Sequence, residues 1–102
     1  MRKTIEDLVL SFGIPPQIKG FKYLCDAIEL KMNGKDAIFK EIYITIAEKN
    51  EDAVHNVDRA IRHAITKIDV SAWAKFGAGG LKSSEVISTF ALKIKRGDFH
   101  GE

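Results

Sequence analysis

The sequence is poor in the features that mark secreted and membrane proteins. Its 102 residues include one cysteine and two prolines, and no apolar run approaches the ~20 residues that a membrane-spanning helix needs. The single thiol, Cys25, excludes an intramolecular disulfide and fits a reducing cytoplasm. The short apolar stretch near the N-terminus is broken by Glu6 and Asp7, which argues against a signal peptide. The net charge of +2 does not suggest a polybasic tail, but it permits local phosphate contacts.

Strand signals are almost absent as well, and apolar residues recur with the period of a helix. The 45% hydrophobic share is enough for a packed core. We therefore expect an all-α fold, a compact bundle of about five to six helices forming a single domain over residues 1–102. The predicted helices span about residues 4–12, 17–32, 35–49, 53–67, 70–76 and 84–96.

Local signals place the helix ends and the inward faces. Thr4 and Asp69 are predicted N-caps, and Asn33-Gly34 is a predicted stop. Spacing by four predicts that Ile38, Ile42 and Ile46 point inward from the third helix. The fourth helix carries a longer apolar stripe, made of Ala53, Val57, Ala60, Ile61, Ala64, Ile65 and Ile68.

Only the short polar segment "NED" separates the third and fourth helices, so we predict a helix-turn-helix at about residues 36–67. In that motif the second helix enters the DNA major groove. Arginine can bind guanine, asparagine can bind adenine, and aspartate can accept from cytosine. A plain amphipathic helix with a solvated face explains the same pattern. The predicted outward residues are His55, Asn56, Asp58, Arg59, Arg62, His63 and Thr66.

Two blocks of sequence together are more specific than this pattern. "GIPPQIKGFKYLCDAIEL" and "RAIRHAI" resemble the C-terminal effector domain of the sporulation master response regulator of Firmicutes. The resemblance extends from about Ile5 to Lys95. It implies an all-helical domain of about six helices that binds double-stranded DNA as the output half of a two-domain regulator, with tandem copies on a short operator box.

The resemblance also assigns roles on the fourth helix. Asp58 and Arg59 match base-reading positions, and Asn56 falls where the family reads DNA with an arginine. Since asparagine prefers adenine, we expect a different preferred box. Arg62 and His63, together with Lys67, are the predicted phosphate contacts.

Departures from the family bear on partners. The link after the fourth helix, "TKIDVSAWAKFG", is several residues shorter than in the family, where this region contacts the RNA polymerase sigma factor; the shortening argues against that contact. A second copy on tandem DNA sites is a further expected partner. The sequence contains no receiver domain, and both a stand-alone protein and a fragment of a longer regulator are consistent with it. The alternative function is a protein-interaction module that antagonises the full-length regulator or occupies its operator.

Other chemistries find little support in the sequence. No nucleophile–base pair or carboxylate pair has a recognisable spacing, so we do not expect an enzyme. His55 and His63 lie two helical turns apart without accompanying ligands, so we expect no metal site and no cofactor. Cys25 is expected to be a small buried residue.

Overall fold

The computed structural model describes residues 2–34, 38–69, 71–72, 74 and 82–97. Within these ranges the chain is helical, with no strand, as the periodicity predicts. The five helices with defined bounds are α1 (Arg2–Ser11), α2 (Lys19–Asn33), α3 (Phe39–Lys49), α4 (Val54–Ile65) and α5 (Ser83–Arg96). Of the predicted helix at 70–76, Ser71, Ala72 and Ala74 are helical, and the rest lies outside the described residues.

The core forms where α2 packs against the other helices, most extensively against α4 and α5. Leu24 and Ile28 of α2 are fully buried, as are Ile61 of α4 and Phe90 of α5. The Phe90 ring meets Phe12 edge-on, with centroids 4.9 Å apart. Burying side chains of this size contributes roughly 1.5–3 kcal/mol each. This packing buries one face of α4 against the core and leaves the opposite face exposed to solvent.

Gly20 permits the closest approach in this core, between the start of α2 and the middle of α4. A Cβ atom at Gly20 would lie 2.1 Å from the carbonyl oxygen of Ala60 and 2.8 Å from the Cβ of Ala64. The Ala60 carbonyl is part of the α4 backbone, so it could move away from such a Cβ atom only if α4 itself moved. A glycine at this position therefore sets how closely α4 lies against α2.

The turn from α3 to α4 contains a residue in the left-handed region, Glu51, with φ of 52°. The N–H of Asp52 donates to the carbonyl oxygen of Ala47 at 2.9 Å. The N–H of Glu51 points to the carbonyl oxygen of Glu48 at 3.4 Å. This pair of bonds is the Schellman ending of a helix, in which the left-handed position is usually glycine. Here it redirects the chain into α4 within four residues.

A buried carboxylate joins α1, α2 and α3. Asp26 of α2 is 2% exposed and lies 2.8 Å from Nη2 of Arg2 and 3.8 Å from Nζ of Lys49. Burying an ionised carboxylate costs several kcal/mol of desolvation, which nearby cations offset. The two cations therefore allow Asp26 to lie among apolar neighbours.

Several predicted details differ in the structure. α1 begins at Arg2, so Thr4 lies inside the helix and does not cap it. α3 begins at Phe39, which leaves Ile38 in extended backbone and 55% exposed, whereas Ile42 and Ile46 are buried as predicted. Ala53 likewise precedes α4 in extended backbone and is exposed.

Other predicted ends are confirmed. α2 ends at Asn33, and Gly34 donates its N–H to Leu30 without adopting a left-handed conformation. The Asp69 carboxylate accepts a hydrogen bond from the N–H of Ser71 at 3.1 Å, which is the bond expected of an N-cap.

Candidate nucleic-acid interface

The outward face of α4 carries the polar side chains that the sequence places there. Val57, Ile61, Ala64 and Ile65 are buried, and this leaves a polar face on the opposite side of the helix. At about 100° per residue, Arg59 lies near the middle of that face. His55, Asn56, Arg59, Arg62, His63 and Thr66 are exposed, and Asp58 is half-buried.

Two shallow grooves flank this face, and the predicted site residues within α4 divide between them. Asn56 and Asp58 are about 200° apart around the helix, so they lie at opposite edges of the exposed face. The first groove, between α2 and α4, is lined by Ile18, Lys19, Gly20, Asn56, Arg59, Ala60 and His63. The second, between α3, α4 and the start of α5, is lined by Phe39, Tyr43, Asp58, Arg62, Lys82, Ser83 and Ser84.

At one edge, Asp58 and Arg62 form an ion pair. Nη2 of Arg62 lies 3.0 Å from Oδ2 of Asp58, one helical turn away, and both side chains are more than a third exposed. An exposed pair at this spacing is worth only ~0.3–0.5 kcal/mol. The pair is therefore weak enough for either partner to exchange it for a contact with a ligand.

At the other edge, Asp52 organises the start of α4. Its Oδ1 accepts hydrogen bonds from the N–H of Ala53 at 2.8 Å and from Nδ2 of Asn56 at 2.9 Å. Its Oδ2 accepts from the Tyr23 hydroxyl at 2.7 Å and lies 3.6 Å from Nζ of Lys19. One carboxylate thus connects the α3–α4 turn, the first turn of α4 and the start of α2.

These bonds shift the pKa values of both acidic partners. Hydrogen bonds from Asn56, Tyr23 and the backbone of Ala53 stabilise the ionised form and hold the pKa of Asp52 well below its usual range. Burial, and then the bond to Asp52, raises the pKa of Tyr23 to about 12. Asp52 is therefore an anion at neutral pH, and Tyr23 is a neutral donor.

The remaining predicted contacts lie around α4. Lys67 is exposed but follows the end of α4, in the turn after Ile65. At the start of α2, Lys19 is exposed beside Asp52, and Nζ of Lys22 donates to Oδ1 of Asn50 at 2.7 Å. Lys19 therefore borders the same groove as His63, whereas Lys22 lies beside the α3–α4 turn.

The sequence patterns described above single out neither Asp52 nor Tyr23 as a polar partner of α4. An acidic residue just before a helix and four residues before an asparagine is a local signal for the Asn56 bond. The Tyr23 bond joins residues 29 apart and depends on the packing of α2 against the turn.

The described residues outside this face bear on thiol chemistry, metal binding and membrane insertion. Cys25 is fully buried as expected, and burial raises the pKa of its thiol to about 12. Across the part of the chain that the structure describes, no three His, Cys, Asp or Glu side chains gather as metal ligands. No helix in that part is long and apolar enough to cross a bilayer. His100, Trp73 and the segment 75–81 lie outside it.

A protein-family model matches this chain. The model of the family described as "Sporulation initiation factor Spo0A C terminal" matches residues 5–94, nearly the whole chain. That range includes both sequence blocks, the α3–α4 turn and all of α4. The family comprises DNA-binding domains and is not a family of enzymes. The chain belongs to the Spo0A C-terminal family, the DNA-binding effector domains of sporulation regulators.

Proposed function

We propose that the protein is a sequence-specific double-stranded DNA-binding transcriptional regulator that acts in the cytoplasm. In this proposal α3, the turn and α4 form the helix-turn-helix, and α4 lies in the major groove. The observation that carries the proposal is the face of α4: it is exposed, it projects from a buried stripe, and Arg59 lies at its centre. The major groove is wide enough to admit an α-helix, and an exposed arginine on that helix can donate two hydrogen bonds to O6 and N7 of guanine.

The base contacts follow from the position of each side chain on α4. Arg59 would read guanine from the centre of the face, and Asn56 would read adenine from its α2 edge. Asp58 would accept from the exocyclic amine of cytosine, which requires its ion pair with Arg62 to open. Opening that pair also frees Arg62 for a phosphate, so the two contacts support each other.

Phosphate contacts would surround these base contacts. Arg62, His63 and Lys67 are exposed along and beyond α4. Lys19 extends the same surface from the start of α2. Such contacts fix the position of the helix on the duplex but carry no sequence information themselves.

Further partners rest on the family alone. A second copy on tandem DNA sites remains a prediction. In the region expected to contact the sigma factor, 66–77, residues 70, 73 and 75–77 lie outside the described residues, and the shortness of the region still argues against that contact. The alternative role, as an antagonist that pairs with the full-length regulator, predicts recovery of that regulator in a pull-down.

Fluorescence anisotropy with labelled duplexes tests the proposal. One set carries the family's operator box with adenine or guanine opposite Asn56, and a scrambled duplex is the control, at two salt concentrations. We expect one box to bind ~10³-fold or more tightly than the scrambled duplex. Equal binding to every duplex would overturn sequence-specific reading.

A further inference from the structure

Asn56 does not project freely from α4, because a neighbouring residue holds its side-chain amide. Asp52 Oδ1 lies 2.9 Å from Nδ2 of Asn56, at the exposed start of the helix. A carboxylate without its proton can only accept hydrogen bonds, so the amide must turn its NH₂ group toward Asp52. One of the two N–H donors of Asn56 is thereby used, and its Oδ1 is directed away from Asp52.

The carboxylate itself is held firmly. Its Oδ1 also accepts from the backbone N–H of Ala53 at 2.8 Å, and its Oδ2 accepts from the Tyr23 hydroxyl at 2.7 Å. Only 12% of the Asp52 side chain is exposed. These partners lie on α2 and on the turn, so Asp52 is oriented by contacts outside α4.

The held amide matches one purine and mismatches the other. Adenine shows a donor at N6 and an acceptor at N7 in the major groove, whereas guanine shows two acceptors, O6 and N7. An asparagine with one N–H used still has one donor and its carbonyl oxygen, which satisfies adenine. Guanine requires both N–H donors, and Asp52 has taken one.

We propose that Asp52 is a specificity-determining residue, which positions the amide of Asn56 to accept adenine and to reject guanine at the base that Asn56 reads. The inference rests on the proposed function, since it presumes that Asn56 contacts a base. It adds a residue outside α4 to the recognition of sequence. Asp52 acts through Asn56 and is a positioning residue; it makes no base contact of its own.

The test compares adenine with guanine across variants of the whole 102-residue chain. Duplexes differ by A or G at each box position in turn, and the base read by Asn56 is the position whose preference Asn56→Ala abolishes. The informative variant is Asp52→Asn. It keeps the shape of the side chain, but its amide can either donate a hydrogen bond to Asn56 or accept one from it. The orientation of the Asn56 amide is then no longer fixed.

We expect the wild type to favour adenine over guanine by about tenfold or more, as for one bidentate contact. Asp52→Asn should reduce this ratio to within about threefold. Loss of a negative charge near DNA raises affinity for both duplexes alike, and the ratio cancels that effect. Glu51→Gln, which removes the negative charge of the adjacent exposed acid, is the charge-matched control and should leave the ratio unchanged.

A double-mutant cycle separates positioning from a general effect on the fold. In the Asn56→Ala background, Asp52→Asn should change the A/G ratio no further. A ratio that stays at the wild-type value in Asp52→Asn, or one that changes equally without Asn56, would overturn the inference. Either result leaves the proposed function standing, whereas a wild type without any sequence preference removes both.

Discussion

At the scale of single residues, two cations beside α4 are paired with carboxylates in the free protein. Arg62 contacts Asp58, and Lys19 contacts Asp52, so two cations of the interface are partly neutralised. Both pairs are exposed on the cation side and are therefore cheap to open. In the proposed complex, phosphate would replace the carboxylate partner of each of these two cations.

Arg62→Ala should weaken binding to all duplexes by a similar factor, because a phosphate contact carries no sequence information. The slope of log K against log salt should fall by about one unit, the value for one released counterion. Anisotropy titrations at four or five salt concentrations measure it. An unchanged slope would remove Arg62 from the phosphate contacts.

Asp52 also makes stability depend on acid. Its folded pKa lies well below the ordinary 3.8, so its contribution is present above that value and is lost as the pH falls toward the folded pKa. Between pH 5 and pH 2, Asp52→Asn should therefore lose less in Tm than the wild type does. Thermal unfolding followed by circular dichroism measures Tm at each pH. An equal drop in Tm in the two proteins would show that folding does not stabilise the ionised Asp52 carboxylate.

At the scale of elements, the orientation of α4 depends on a turn and on a close contact. The turn requires a left-handed residue at position 51, and the contact requires the absence of a side chain at position 20. Sequence patterns predict α3 and α4 from spacing, because buried residues such as Ile42 and Ile46 recur by helical turns. They do not reveal Glu51 in a conformation typical of glycine, since no local signal marks it.

Glu51→Gly should stabilise the protein by about 0.5–1 kcal/mol. Glycine removes the ~1–2 kcal/mol cost of a left-handed conformation but adds conformational entropy to the unfolded chain. Urea unfolding measures the difference. Glu51→Ala is the control, because it removes the same side chain but keeps the Cβ atom. If the alanine variant matched the glycine variant, the backbone argument would be wrong.

Gly20→Ala should destabilise the protein by about 2–3 kcal/mol, even though alanine ordinarily favours a helix. The new Cβ would press on the backbone of Ala60, and α4 would have to move. Urea unfolding again gives the value. Gly97→Ala is the control: its Cβ would meet nothing within 4 Å, so only its left-handed φ adds a cost, about 1–2 kcal/mol. A Gly20→Ala variant as stable as the wild type would mean that α2 and α4 are not in such close contact.

At the scale of the whole molecule, the sequence predicts the class of fold and the polar face of α4. Both rest on periodicity, which reports burial directly. The exposure of Ile38 is not predictable in this way, because it depends on where α3 begins. The division of the site between two grooves and the Tyr23–Asp52 bond are likewise beyond sequence, since they join distant segments through packing.

In the proposed function α4 reads bases, with Arg59 at the centre of its exposed face. The most direct test measures the affinities of the wild type and Arg59→Ala for the preferred and scrambled duplexes, with Lys95→Ala on α5 as a charge-matched control. We expect Arg59→Ala to cost ~1–3 kcal/mol on the preferred duplex and little on the scrambled one, and to relax specificity at one base pair. Loss of a positive charge alone, as in Lys95→Ala, lowers the affinity for both duplexes by the same factor. An equal loss of affinity in Arg59→Ala would therefore contradict base reading by Arg59.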